Sequence, residues 1–238
     1  MQSRTTLTPR DIVIVGLGGI GSWLVEPLMR YSLFSLRDKP RFHLVDGDNY
    51  SISNQARQSI HPKLIGMNKA SANALKLRQY FPSLEIKEIP EFISNSNIDS
   101  ILNTGRNGTY VFNCCDNNYC RKIITEYIVK HKPESIILSG GNEITDGNSH
   151  IYDKNNSCNS ILTSHPEVDL ALVTEDRGAM SCQQIAEMPS SSQIIVTNFW
   201  AAAIMLQQFY LMTNNQCVQE TFFDIRKSAI NAIEPIRG

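Results

Sequence analysis

Residues 11–22 read Asp11-Ile12-Val13-Ile14-Val15-Gly16-Leu17-Gly18-Gly19-Ile20-Gly21-Ser22, and this stretch decides the fold. Its first five residues are a short apolar, β-branched run, the signature of a buried strand. The run passes directly into a turn with glycine at 16, 18 and 21. The turn opens a helical pattern over Trp23 to Tyr31, with Leu24, Leu28 and Tyr31 on one face. Between a strand and a helix, Gly-x-Gly-x-x-Gly points to a nucleotide. The first glycine permits a tight turn, the second lets the backbone approach a phosphate, and the third lets helix and strand pack closely. Amides at the helix N-terminus then face the anion.

The same alternation continues outward. A second strand, Arg41 to Val45, ends in Asp46-Gly47-Asp48. A polar helical turn follows over Ser51 to Gln58, then a helix over Asn68 to Phe81 with Ala70, Ala74, Leu75 and Leu77 on its apolar side. Strands over Leu84 to Ile89, Thr109 to Asn113 and Ser135 to Leu138 alternate with a short helix after the Ser94 to Ser100 loop and a longer one over Tyr119 to His131. This predicts an α/β chain with a Rossmann-like, doubly wound, mainly parallel sheet. The second half differs. Asn142 to Asp153 reads as a hairpin turning at Asp146-Gly147. Asn155 to Ser192 reads as a long ordered loop with a short helix near Gln183 to Glu187. A long helix over Ile194 to Met212 and edge strands over Thr221 to Ile225 and Ile230 to Ile236 complete an antiparallel extension. With no repeat, low-complexity tract or linker, residues 1–238 read as one domain: a nucleotide-binding half over 1–141, and hairpin, crossover loop, helix and edge strands over 142–238.

Composition narrows the function. The chain has 238 residues, 42% hydrophobic and 19% charged, with formal net charge −1, which excludes a disordered chain. No basic excess points to a nucleic-acid partner. The stretch Ile194 to Met212 has membrane-span length, but Thr197, Asn198, Gln207 and Gln208 interrupt it, so a buried helix is expected and no membrane partner. Met1 to Arg10 is polar, with no export signal. Cys114, Cys115, Cys120, Cys158, Cys182 and Cys217 therefore read as reduced thiols of a cytoplasmic protein. No Cys-x-x-Cys pair suggests a zinc knuckle.

Candidate site residues gather at the C-terminal ends of the predicted strands, which share one crevice in a doubly wound sheet. Asp46 is placed to accept ribose hydroxyls, with Asp48 either a second polar contact or a turn former. Asn54, Arg57 and Gln58 follow, then Lys69 near a helix start, and Asp116-Asn117 after the fourth strand with Arg121 a turn later. A dinucleotide needs little beyond the glycines and Asp46. Two cations and a hard oxygen ligand suit a triphosphate with magnesium, Arg57 and Lys69 balancing charge and Asp116 holding the metal. Each also has a plain structural reading: Arg57 and Lys69 as solvated surface charges, Asp116 as a helix cap.

Taken in order, Gly16-x-Gly18-Gly19-x-Gly21-Ser22, Asp46-x-Asp48, Ser53-Asn54-x-x-Arg57-Gln58, Lys69, and Cys115-Asp116-Asn117 with Arg121 resemble the ThiF/MoeB/HesA superfamily, which includes the ubiquitin-activating enzymes. The hairpin at Gly140-Gly141-Asn142 and the late apolar helix are similar to short plasmid- and phage-type ThiF-like proteins. The resemblance implies an ATP- and magnesium-dependent adenylyltransferase. Its substrate would be the C-terminal carboxylate of a small ubiquitin-like or sulfur-carrier protein ending in glycine. The resemblance further implies a homodimer, Asp46 on the ribose, Arg57 and Lys69 on phosphates with Asn54 and Gln58 supporting, and Asp116 on the metal. Arg121 would brace the site or meet the substrate tail. A thioester step would use Cys182, in Met180-Ser181-Cys182-Gln183, with Cys158 as the second candidate. Two other readings remain: a catalytically silent scaffold or heterodimer half, and an NAD-dependent oxidoreductase.

Overall fold

The computed structural model describes residues 9–105, 108–171 and 195–235. Eight strands form one sheet in the order β3-β2-β1-β4-β5-β6-β7-β8. They are β1 (Asp11–Val15), β2 (Arg41–Val45), β3 (Ile86–Ile89), β4 (Thr109–Asn113), β5 (Ile136–Asn142), β6 (Asp146–Tyr152), β7 (Glu220–Asp224) and β8 (Ala229–Ile233). The pairs from β3 through β5 are parallel, and those from β5 through β8 are antiparallel. This is the predicted Rossmann-like sheet with its antiparallel extension.

Side chains of β1 alternate between the two faces. Ile12 and Ile14 join a core with helices α1 (Gly19–Ser35) and α2 (Lys69–Tyr80) and the long helix here called α7 (Ile195–Thr213). Val13 and Val15 join a second core with α3 (Ile98–Leu102) and α4 (Asn118–His131). Both faces are therefore covered, as a parallel sheet requires. Two short helices, α5 (Ile161–Ser164) and α6 (Pro166–Asp169), pack against α4.

Several expectations are corrected. The turn at Asp146-Gly147 is not a turn: β6 begins there, and Gly147 pairs with Asn142 across the ladder. A side chain at Gly147 would strike the Gly141 carbonyl and the Phe223 ring, so this glycine serves close packing. β5 likewise runs on through Ser139-Gly140-Gly141. On α2, Leu75 is exposed, and Ala72 and Asn73 are buried beside Ala70, Ala74 and Leu77. The expected helix near Gln183 to Glu187 lies outside the described residues.

The helix α7 has the length and apolar composition to cross a membrane, yet it packs on α1 and β5 with Ala201, Ile204, Met205 and Phe209 buried. Three of its polar interruptions have partners in the core. Gln208 donates to the Ser149 carbonyl (2.9 Å) and accepts from the Ser149 hydroxyl (2.6 Å). Thr197 accepts from the Asn142 amide at 3.2 Å, and Asn198 packs against Gly19 of the glycine turn, described below.

Candidate active site

The glycine turn is built as its spacing implies. Gly16 has φ +88°, and a Cβ there would meet the Cys114 carbonyl at 2.9 Å. A Cβ on Gly21 would collide with the Gly16 carbonyl oxygen. Helix α1 starts at Gly19, earlier than the expected Trp23, because the glycines form its first turn. Gly18 is its N-cap and brings no side-chain cap. A Cβ on Gly18 would meet nothing nearer than the Gln58 amide nitrogen at 3.7 Å, whereas one on Gly19 would strike the Asn198 side chain, so the 17-residue helix begins with uncapped backbone amides between Gln58 and Asn198. That arrangement suits an anion.

Asp46 is buried beneath the turn. Its carboxylate accepts the Leu17 amide (2.6 Å) and the Asp48 amide (2.9 Å), so it fixes the loop's shape and keeps one lone pair per oxygen for a further donor. Burial raises its pKa, opposed by Lys69 and by those two amides. Asp48 accepts the Lys69 ammonium at 2.9 Å, which makes it the partner that aims Lys69. Lys69 is buried at the first position of α2, whose cap is Asn68. The Asn68 amide also donates to the Asp46 and Asp48 carbonyls, tying the helix to the acidic loop.

Asn54 closes a capping box with Ser51 and is buried, which is a supporting role. Arg57 is buried nearby. Burial lowers its pKa, and Asp116 acts in the opposite direction, which places the two charges in one field. Gln58 is buried, with its amide nitrogen toward Gly18, and its carbonyl oxygen accepts nothing among the described residues. A buried acceptor without a donor is costly, and a bound hydroxyl or amino group would satisfy it. Asn117, expected on the cofactor, caps α4 by accepting the Cys120 amide at 2.6 Å. The neighbouring Asp116 is thereby released from the capping role, and it is exposed at the end of β4. Arg121 donates to the Cys115 carbonyl (3.0 Å) and the Gly140 carbonyl (3.1 Å), bracing the tips of β4 and β5.

The thiol expectations fare unevenly. Cys182 lies outside the described residues. Cys158 is buried against Cys217 (Sγ–Sγ 2.6 Å), and that contact together with burial pushes its pKa up, so the second nucleophile candidate is corrected to a buried thiol. Burial also raises Cys114, to about 12.

Sequence reading missed three contributors. Asn198 of α7 donates to the Arg57 carbonyl (3.2 Å), accepts from Asn142 (3.1 Å), and fills the space a side chain on Gly19 would need. The Trp23 indole donates to the same Arg57 carbonyl at 3.0 Å. Phe92, 66% exposed, lies against Gly47 beside Asp46, a flat apolar surface next to the expected ribose contact. The polar break at Asn198 was the available signal for the first. Nothing local marks Trp23 or Phe92.

The ThiF family matches residues 2–224. The chain belongs to the ThiF family. It is 29% identical over 146 residues to the tRNA threonylcarbamoyladenosine dehydratase of Haemophilus influenzae, covering 61% of this chain and 53% of that protein. It is 27% identical over 159 residues to the adenylyltransferase and sulfurtransferase MOCS3-1 of Zea mays, covering 66% of this chain and 31% of that protein. The chain thus spans about half, or less, of the curated relatives it matches. Among solved structures, Escherichia coli MccB with ATP shares the fold, with a TM-score of 0.69 and 14% identity over 98% of this chain and 66% of that one. For this ThiF-family chain the glycine turn, Asp46, Arg57, Lys69 and Asp116 all come to the C-terminal end of the parallel strands.

Proposed function

We propose that this ThiF-family chain is an adenylyltransferase that activates a carboxylate with ATP, and that the carboxylate is the C-terminus of a small ubiquitin-like or sulfur-carrier protein ending in glycine. The observation that carries the reading is the grouping of buried Arg57, buried Lys69 and exposed Asp116 around an uncapped glycine-rich helix start. A nicotinamide cofactor leaves those three residues unexplained, and a silent scaffold has no use for them.

In this reading the phosphates rest on the Gly18–Gly21 amides, the ribose reaches Asp46, and the base lies toward Phe92. Asp116, an oxygen donor free of helix capping, fits magnesium, which would neutralise phosphate charge when bound. One carboxylate oxygen of the substrate attacks the α-phosphorus while the bond to the bridging oxygen of pyrophosphate breaks. Two anions must approach and extra charge must be carried in transit. Arg57, pinned through its carbonyl by Trp23 and Asn198, and Lys69, aimed by Asp48, offset that charge without having to reorganise. A later thioester would fall to Cys182. The protein is taken to be a cytoplasmic homodimer.

A second reading is favoured by the relative named as a tRNA-modifying dehydratase: the carboxylate would then be carried on tRNA. The net charge of −1 weighs against it. Pyrophosphate exchange into ATP separates the two. Exchange stimulated by a glycine-ending carrier protein and lost in Asp116→Ala supports the proposal. Exchange stimulated only by tRNA overturns the partner, and undiminished exchange in Asp116→Ala overturns the assigned role.

A further inference from the structure

We propose that Cys158 and Cys217 form a reversible disulfide site, oxidised by low-molecular-weight disulfides such as glutathione disulfide. The two sulfurs face each other at 2.6 Å although the residues are 59 apart in sequence. Cys158 follows β6 and Cys217 precedes β7, so each sits on a different loop.

Those loops are already held in register. Asp153 and Cys158 exchange backbone hydrogen bonds at 3.1 and 3.0 Å, which fixes the first loop. The Asn159 amide donates to the Gln219 side chain (2.7 Å), and the Gln219 amide group donates back to the Asn159 carbonyl (3.1 Å), which locks the second loop against the first. Gln219 also donates to the Ile151 carbonyl at 3.1 Å, anchoring the pair to the sheet. Closing a disulfide here asks for little backbone movement, the usual obstacle.

Exposure orders the steps. Cys217 is half-buried and Cys158 is buried. The Cys217 thiolate attacks one sulfur of glutathione disulfide, forming a mixed disulfide and releasing one glutathione thiolate. Cys158 gives up its proton and attacks the Cys217 sulfur, expelling the second glutathione. Two protein thiols and one glutathione disulfide become one protein disulfide and two glutathione thiols. A thiol that burial and its neighbour hold protonated has little thiolate stabilisation to lose, which favours the oxidised form. The bond ties the two ends of the segment carrying α5, α6 and α7 and touches none of Arg57, Lys69 or Asp116. Its stabilising effect comes from closing a long loop in the unfolded chain.

The full-length protein, equilibrated in glutathione buffers of rising oxidised fraction and then alkylated under denaturing conditions, tests this. The chain has 6 cysteines. The expected result is loss of two alkylatable thiols, a non-reducing peptide map joining Cys158 to Cys217, and a rise in Tm of roughly 5–15 °C on oxidation. The rise disappears in Cys217→Ser, at the half-buried position, which keeps the test open if Cys158→Ser fails to fold. No loss of thiols, a glutathione adduct on Cys217 with Cys158 still alkylatable, or a Cys115–Cys120 link in place of this one would overturn the proposal.

Discussion

Gly21 shows how far single residues dictate the site. Its missing side chain is what lets α1 close onto the Gly16 carbonyl. Gly21→Ala is expected to cost about 3 kcal/mol in urea unfolding, the upper end for overpacking, because the obstacle is backbone and not a flexible side chain. A loss under about 0.5 kcal/mol would show that the turn is looser than described. The turn-forming roles of Gly16 and Gly21 were legible because spacing alone fixes such a backbone turn, whereas the burial of Arg57 and Lys69, which reads as surface charge in isolation, was not. Nor was the division of labour. Asp48 and Asn117 look like ligands in sequence, and they are a lysine partner and a helix cap in the fold. Which of two adjacent polar residues caps a helix depends on a backbone phase that spacing does not reveal.

Elements join the two halves of the chain. Helix α7 was legible as a buried helix from its apolar run, but its register was not, and register is what turns Asn198 toward Gly19 and the Arg57 carbonyl. Removing that amide leaves the Arg57 carbonyl held by the Trp23 indole alone and lets the Arg57 loop drift. Asn198→Ala is expected to weaken ATP binding about tenfold, the equivalent of ~1.4 kcal/mol. Titration calorimetry reads the affinity. A variant that melts earlier yet binds ATP as tightly as wild type would make Asn198 a packing residue only. The hairpin between β5 and β6 illustrates the opposite failure. Asp-Gly is a strong turn signal, and Gly147 was claimed instead by a cross-strand neighbour. Tertiary crowding leaves no local trace.

For the whole molecule, the mainly parallel sheet with its antiparallel extension followed from alternating periodicity, whereas the strand order and the buried histidines did not. Burial lowers the His150 pKa to about 4, opposed by Glu220 and reinforced by His165. Between the unfolded value near 6.5 and about 4, only the unfolded chain takes the proton, so stability falls with pH across that window. His43 is lowered by burial and acts the same way. His165, raised by its bond to Glu220, acts in reverse, adding stability below its unfolded pKa that is lost as pH rises through the folded value. His150→Gln should therefore lose about 2–3 kcal/mol less than wild type between pH 7 and pH 4.5, read by urea unfolding. Equal losses would place the titration elsewhere. The crevice itself is read by calorimetric titration of ATP with magnesium into wild type and Arg57→Met, with NAD as comparison. The expected result is micromolar binding of ATP by wild type, at least tenfold weaker binding by the variant, and no comparable binding of NAD. Equal ATP affinity in the two proteins, or tighter binding of NAD, would contradict it.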